Sequence, residues 1–434
     1  MSAPSFDAVA RVFVPDSLGQ TVRLRGWVLR TRSSGGILFL LLRDRTGVVQ
    51  VTGRRDGLGD ASFEAAEHVQ IEGAVSVEGT VAEDRRAPDG REVRASRIDV
   101  IDAGEAFPIF SDQTEEFLLD QRHLAIRSQE NVAIFRVKAE LLRAFREFLD
   151  REDVLEMTPP IISGNAAEGG SEAFQIDYFG KPGYLSQSAQ LYLEALLFPH
   201  ERVYSLTPAF RAEKSRTTRH ITEFLMLEVE LAWCDLGSLL DFTERMMVSA
   251  VHAVAERRPK ELKALGRPPE ELLAIRAPFE RIRYSEAIDR LSKLGFPVHF
   301  GSDIATAEER ALTLESPSPM FVTHFPRELK AFYMLRSPDD PRCVEAADLL
   351  GPEGYGEVVG ASCRETDLAR LKGRIVEIGA KVEEYEWYLD LRRHGSVPHA
   401  GFGLGIERVL RWMLRREHIR DTTPFPRTPS RHTP

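Results

Sequence analysis

Cysteine is nearly absent from this chain: 434 residues hold three, Cys234, Cys343 and Cys363, widely spaced and odd in number. With no Cys-x-x-Cys pair, neither a disulfide scaffold nor a cysteine-built zinc site has support, and a reducing compartment is the expectation. None of the eleven histidines stands in a His-Glu-x-x-His helix, which removes the zinc-hydrolase reading. Long apolar runs are missing too. The longest, 37–42, is far too short to cross a bilayer, and residues 1–21 show no basic segment followed by an apolar core. The chain therefore reads as cytoplasmic, without a membrane partner. Also lacking is a surplus of positive charge: the net charge is −10, opposite in sign to a bulk nucleic-acid binder, so a polynucleotide has to be met by a local patch.

What is present fits a folded chain of two domains. Hydrophobic residues at 43% and charged residues at 29% are near globular averages, and the length suits one small and one large domain. Short β-rich runs at 22–29, 37–44, 48–52, 74–81 and 92–98 alternate with turns. The one helical interruption, 61–69, falls between the third and fourth runs, where a five-stranded OB barrel places its helix. The stretch 103–112, with Gly104 and Pro108, breaks the pattern as a hinge. Residues 1–102 are thus expected to form the barrel, 103–127 a linker and 128–434 a larger domain. In that domain 131–152 aligns Ile134, Val137, Leu141, Leu142, Phe145, Phe148 and Leu149 on one stripe, an amphipathic helix expected to end before Pro159 and Pro160. The stretch 251–315 reads as helical and charged and carries no chemical signal.

Two β-like runs, 202–213 and 219–233, flank the polar stretch 214–218 and predict an antiparallel hairpin with a mobile tip. In the second run the period of two sends Leu225, Leu227, Val229 and Leu231 to a core and Phe224, Met226, Glu228 and Glu230 to the opposite face. Arg211 and Glu213 share a face on the first run, and Arg219 and His220 stand where the chain returns. Arginines neutralise phosphate and a ring stacks a base, so the patch suits a nucleotide; a solvated sheet face with cross-strand ion pairs is the plainer alternative. Further on, Gly401-Phe402-Gly403-Leu404-Gly405 leads into a helical stripe of Ile406, Val409, Leu410, Met413 and Leu414, with Glu407 and Arg408 opening the helix. This is neither Gly-x-Gly-x-x-Gly nor a P-loop. Its glycines permit close approach to a nucleotide, and packing alone could also require them.

The words Phe210-Arg211-Ala212-Glu213, Arg219-His220 and Glu223-Phe224 resemble motif 2 of the class II aminoacyl-tRNA synthetases, in the subgroup of aspartyl, asparaginyl and lysyl enzymes. Gly-x-Gly-x-Gly-x-Glu-Arg at 401–408 is similar to motif 3, and the helix ending near Thr158-Pro159 has the form of motif 1, which builds a homodimer interface in the family. The resemblance implies an α+β protein: an N-terminal OB-fold barrel that binds the tRNA anticodon, and a catalytic domain with an antiparallel sheet flanked by helices. It implies an ATP site of Arg211, Glu213, Arg219, His220, Phe224, Glu357, Gly405, Glu407 and Arg408, with Arg211 and Arg408 carrying the catalysis. Asp348 and Glu357 resemble the magnesium-binding pair, hard oxygen ligands suited to a cation that bridges phosphates. Because Glu357 and Arg364 differ by an odd number of residues, a flat strand would send them to opposite faces; if both reach the substrate, a bulge near Gly360 is needed.

Further matches concern the amino acid. Glu168, Ser188, Gln190, Leu193, Glu194, Glu228, Gly360 and Arg364 match positions around the bound substrate in the subgroup. Aspartyl enzymes usually carry Lys where Leu193 stands, whereas Leu193-Glu194 looks asparaginyl, as do Asp177-Tyr178-Phe179-Gly180 and Lys330-Ala331-Phe332-Tyr333-Met334. Glu194 could contact an amide or simply face solvent. One departure is Gly360-Ala361-Ser362-Cys363-Arg364 in place of the family's usual Gly-Gly-Ser-Gln-Arg; Cys363 reads as a small buried hydrophobe. On the barrel, Gly26-Trp27-Val28, Arg32, Phe39, Arg43-Asp44 and Gln50 resemble the subgroup's anticodon-binding domain, which implies Phe39 as the stacking platform and Gln50 as a base reader beside Arg32; Leu38, Leu40 and Leu42 form the other face of the strand, so parity points Phe39 outward. The implied partners are tRNA and a small amino acid. Rival readings are a non-discriminating aspartyl enzyme and a paralogue or tRNA-binding regulator with another acceptor.

Overall fold

The computed structural model describes residues 5–164, 173–214 and 217–433. Glu168 with Gly169 and Gly170, and Ser215 and Arg216 at the expected hairpin tip, lie outside the described residues. The chain forms two units, Met1–Thr114 and Glu115–Pro434.

In the first unit β1 (Thr21–Ser34), β2 (Ile37–Arg43), β3 (Val48–Arg54), β4 (Ala74–Glu83) and β5 (Arg91–Asp102) close into a barrel in the order β1-β2-β3-β5-β4. Alternation dictates the closure: Val22, Leu24, Leu38, Leu40, Val49, Val51, Val75 and Val77 point inward and are buried together. β1 outruns its apolar stretch because pairing with β2 continues to Ser34 opposite Ile37. Gly35 and Gly36, both at positive φ, then reverse the chain in two residues. The helix Asp60–Glu67 lies between β3 and β4 and buries Phe63 and Ala66.

The second unit contains β6 (Leu155–Glu156), β7 (Ile162–Ser163), β8 (Gln175–Tyr178), β9 (Lys181–Leu185), β10 (Arg202–Phe210), β11 (Glu223–Ala232), β12 (Glu280–Arg283), β13 (Met320–Thr323), β14 (Ala346–Gly351), β15 (Gly356–Cys363) and β16 (His399–Gly405). Eight of them form one sheet in the order β12-β13-β14-β15-β16-β11-β10-β6, and β7-β9-β8 form a small second sheet. The six inner strands are antiparallel, as expected, but both outer pairs are parallel, so the sheet is mixed. The reason is connectivity: long crossovers that include helices separate β6 from β10 and β12 from β13. The second crossover starts inside 251–315, which therefore contains a strand as well as helices.

Helices Gln129–Arg151, Leu236–Arg257 and Ile406–Met413 cover one face of the large sheet. Against them pack Leu227, Val229 and Leu231 of β11, Ala400, Phe402 and Leu404 of β16, and Val359, Ala361 and Cys363 of β15. The first helix is capped by Ser128, whose side chain accepts from the Asn131 amide. It stops well before the prolines. Asp153 takes φ 56° and the Val154 amide donates to the Leu149 carbonyl at 2.9 Å, so a left-handed turn ends the helix. Among the described residues no helix is long and apolar enough to cross a membrane.

All three cysteines are buried. Burial pushes the thiols of Cys234 and Cys363 up to about 12 and raises that of Cys343. Ellman titration at pH 8 is therefore expected to find no fast-reacting thiol in the native protein and three per chain in guanidinium. A fast phase before denaturation would contradict the packing.

Candidate active site

The sheet face left open by the helices floors a cavity of about 450 Å³. Strand parity builds that floor. Met226, Glu228 and Glu230 of β11 point into it, with Gly403 of β16, Asp348 of β14, and Gly360, Ser362 and Arg364 on and just beyond β15. Glu357 joins them through a register shift: Leu349 pairs with Val359 but Leu350 with Glu357, leaving Val358 as an extra residue. The bulge that parity demanded is thus present at Val358, two positions before Gly360. The Asp348 and Glu357 carboxylates converge over Gly360, where an added Cβ would lie 3.9 Å and 3.3 Å from them. Gly401 has a packing reason of its own, since a Cβ there would collide with the Glu230 carboxylate and the Val229 carbonyl.

The hairpin strands are shorter than the sequence runs. β10 ends at Phe210 and β11 begins at Glu223, so Arg211, Glu213, Arg219 and His220 belong to the connection rather than to strand faces. They still line the cavity with Phe224 and Arg408. The Arg211 guanidinium stands 5.6 Å from the centre of the Phe224 ring and 3.9 Å from Glu213. Burial and the nearby Arg408 hold the His220 imidazole neutral, down to about 4, so its 3.7 Å approach to Glu213 is not an ion pair at neutral pH. Arg408 Nη1 donates to Glu357 at 3.0 Å. Burial would raise Glu357, but Arg408, Lys330 and Arg211 draw it down to about 2. Asp348 goes the other way, up to about 6, because burial and Glu357 outweigh Lys330.

Other expected residues divide into those at the surface of the cavity and those behind it. Ser188, Gln190, Glu228, Gly360, Arg364, Gly405 and Glu407 line it. Glu228 accepts from Ser188 Oγ at 2.5 Å and from the Ala189 amide at 2.8 Å. Glu407 is fixed by Lys138 at 2.5 Å and by the Leu225 amide at 2.9 Å. Arg364 meets Glu230 through two nitrogens, at 2.5 and 3.2 Å, and donates to Ser362 at 2.5 Å. Leu193 and Glu194 are not brought to the cavity. Their helix, Gln190–His200, packs Leu193 against Ala189, Leu197 and Val203. Glu194 is fully buried and bonded to Arg392, His399 and Tyr388, so it does not face solvent either. Cys363 packs on the helix side of β15, and Ala361 packs there too but also borders the cavity, so the departure from the family's wording touches the core at both positions and the cavity at Ala361.

Two participants carried no role in the sequence reading. Glu309, on the helix Thr306–Thr313, is bonded to Arg219 and accepts from the Glu357 amide at 3.2 Å. Burial pushes it up to about 7. Nothing in its segment marks it out, because a charged helix reads as a solvated one. Lys330 donates to both oxygens of Asp348, at 2.8 and 2.6 Å; the word Lys330–Met334 was its only signal.

On the barrel, Phe39 is half-buried on the outer face, with the Arg32 guanidinium 4.7 Å from its centre. Both border a hollow of about 210 Å³ with Arg30, Leu41, Gln50 and Pro88. Gln50 is mostly covered and donates to Glu92 at 3.2 Å.

Residues 114–429 match the family of tRNA synthetases class II (D, K and N), and residues 22–101 match the OB-fold nucleic acid binding domain. The chain belongs to the class II tRNA synthetases of that group. Its relatives within the group include the asparagine–tRNA ligase of Thermococcus kodakarensis, 49% identical over 97% of both chains. That of Thermoplasma acidophilum is 43% identical over 98% of this chain and 100% of its own. The crystal structure of asparaginyl-tRNA synthetase from Pyrococcus horikoshii complexed with asparaginyl-adenylate superposes with a TM-score of 0.96, at 47% identity, covering 99% of this chain and 100% of that one.

Replacing Glu230 by Ala would strand the buried Arg364 guanidinium without its partner. Glu230→Ala is expected to lower stability to urea by about 3–5 kcal/mol; a loss under about 1 kcal/mol would show that the pair is not sealed from water.

Proposed function

We propose that this chain activates L-asparagine with ATP to the aminoacyl-adenylate and transfers it to tRNA(Asn). The observation that carries the reading is the convergence of Arg211, Arg408, Asp348 and Glu357 on the same cavity as Ser188, Gln190, Glu228 and Arg364. Activation needs no general base, because the substrate carboxylate is already an anion at neutral pH. What it needs is charge neutralisation and alignment. Arg211 and Arg408 supply positive charge to the phosphates, with Arg219 and His220 on the outer ones. Phe224 offers the adenine a face and Glu213 an acceptor.

Magnesium fits the pair over Gly360. Asp348 and Glu357 present hard oxygens from two neighbouring strands, and two carboxylates suffice where phosphates complete the shell. Held by Asp348 and Glu357, the ion would supply positive charge against the phosphates; Lys330 holds Asp348 in place.

Asparagine over aspartate follows from the same geometry. Arg364 is matched by Glu230, so the two together offer a donor and an acceptor, which suit an amide, while a second carboxylate would meet Glu230. Leu193 fills core space and brings no cation. In the family's manner the chain works in the cytoplasm as a homodimer through the region of helix Gln129–Arg151, near which Leu155, Ile161 and Ile162 are exposed. The barrel reads the anticodon with Phe39, Arg32 and Gln50.

Amino-acid-dependent ATP–pyrophosphate exchange tests the assignment. Asparagine is expected to support exchange at least about a hundredfold better than aspartate; equal rates would point to a non-discriminating aspartyl enzyme, and activity with neither to a regulator. For the barrel, Phe39→Ala should raise the KM for tRNA(Asn) about tenfold or more, with tRNA-free exchange as the control for folding. An unchanged KM would remove Phe39 from the anticodon site.

A further inference from the structure

Behind the cavity wall lies a cluster of polar side chains for which the activation chemistry has no direct use. Glu194 is its centre and is fully buried, as are Arg392 and His399 in their side chains. One Glu194 oxygen accepts from Arg392 at 2.7 Å, from His399 Nε2 at 3.1 Å and from the Tyr388 hydroxyl at 2.8 Å. The other accepts from Gln190 Nε2 at 3.0 Å. Arg392 is anchored in turn on the Glu365 carbonyl, at 2.9 Å. Burial would raise the Glu194 carboxyl, but Arg392 and His399 hold it well below the usual carboxylate range. It is an anion throughout the working range of pH.

Gln190 is the one member of this cluster that also borders the cavity. Its carboxamide has two chemically opposite ends, a donor NH2 and an acceptor oxygen, and rotation by half a turn exchanges them at little steric cost. A carboxylate can only accept. Facing Glu194, the amide must therefore turn its NH2 backward, which leaves Oε1 as the polar atom it offers to the cavity. Glu228, tied to Ser188 and the Ala189 amide two and one positions before Gln190, gives the same cavity a second acceptor.

We propose that Glu194 is a positioning residue, whose buried, cation-braced carboxylate locks the Gln190 carboxamide with its oxygen toward the substrate's ammonium group. This rests on the asparagine-activating reading above. Glu194 never touches the amino acid; it sets the sign of the dipole that does. Preorganisation of this kind is built into the apo protein, since all partners of Glu194 belong to the chain itself.

A double-mutant cycle in the exchange assay tests it, on the full chain, with Gln190→Ala, Glu194→Gln and the pair. Glu194→Gln lets the amide turn, and it should raise the KM for asparagine about ten- to a hundredfold, with the KM for ATP within about twofold. If Glu194 acts through Gln190, the double variant matches Gln190→Ala alone. Succinamic acid, which is asparagine without its amino group, gives an independent readout. The preference for asparagine over succinamate as a competitor should shrink in Glu194→Gln by the same factor. Should that variant not fold, Glu194→Asp keeps a countercharge for Arg392 and an acceptor for His399 while withdrawing the carboxylate from Gln190, and the same cycle applies. Additive effects, or asparagine and succinamate weakened equally, would overturn the proposal. A parent enzyme that exchanges with aspartate instead of asparagine would fail the functional reading itself.

Discussion

A carboxylate taken out of water has to be matched by a cation or by donors, and the second unit is arranged around that demand. Glu194, Glu228, Glu230 and Glu407 are all buried, the most exposed of them at 3%. Each has found a different solution: Arg392 with His399, a serine with a backbone amide, a two-point arginine, and a lysine with a backbone amide. These partners come from segments far apart in the chain, so the polar floor can exist only when the strand order is complete. The apolar side of the same strands supplies the driving force for that order, and the charged side makes it specific.

Much of this was legible because β11 obeys the period of two almost without exception. Leu227, Val229 and Leu231 go to the helices and Met226, Glu228 and Glu230 to the cavity, as alternation requires. The glycine strand followed by a helical stripe was equally plain at His399–Gly405 and Ile406–Met413. In the barrel, the strict burial of Leu38, Leu40 and Leu42 left Phe39 only one direction to point. Each of these features is local, and local periodicity is what a sequence displays.

What escaped the sequence was settled by contacts between distant segments. Glu309 sits on a helix whose charged text differs in no way from a solvated surface, and only the fold carries it to Arg219. The end of helix Gln129–Arg151 depends on Asp153 accepting a left-handed conformation, which competes unseen with the more conspicuous prolines downstream. Leu193 and Glu194 are expected at the pocket because the segment that holds them with Ser188 and Gln190 resembles the subgroup's substrate-binding one. Both stand one helical turn beyond Gln190 on nearly the same face, however, and that turn sets them behind Gln190, among Leu197, Val203, Arg392 and His399, rather than at the opening.

The extra residue at Val358 has an evolutionary corollary. Upstream of it β15 presents its odd positions to the cavity, downstream its even ones, so the carboxylate at 357 and the guanidinium at 364 serve a common cleft from opposite phases of one strand. A lineage that lost the single codon for Val358 would keep every other side chain and still swing one half of the strand inside out. Substitutions can tune such a site gradually, but insertions and deletions are all-or-nothing there, and the spacing itself behaves as an inherited character as strict as any of the residues it separates.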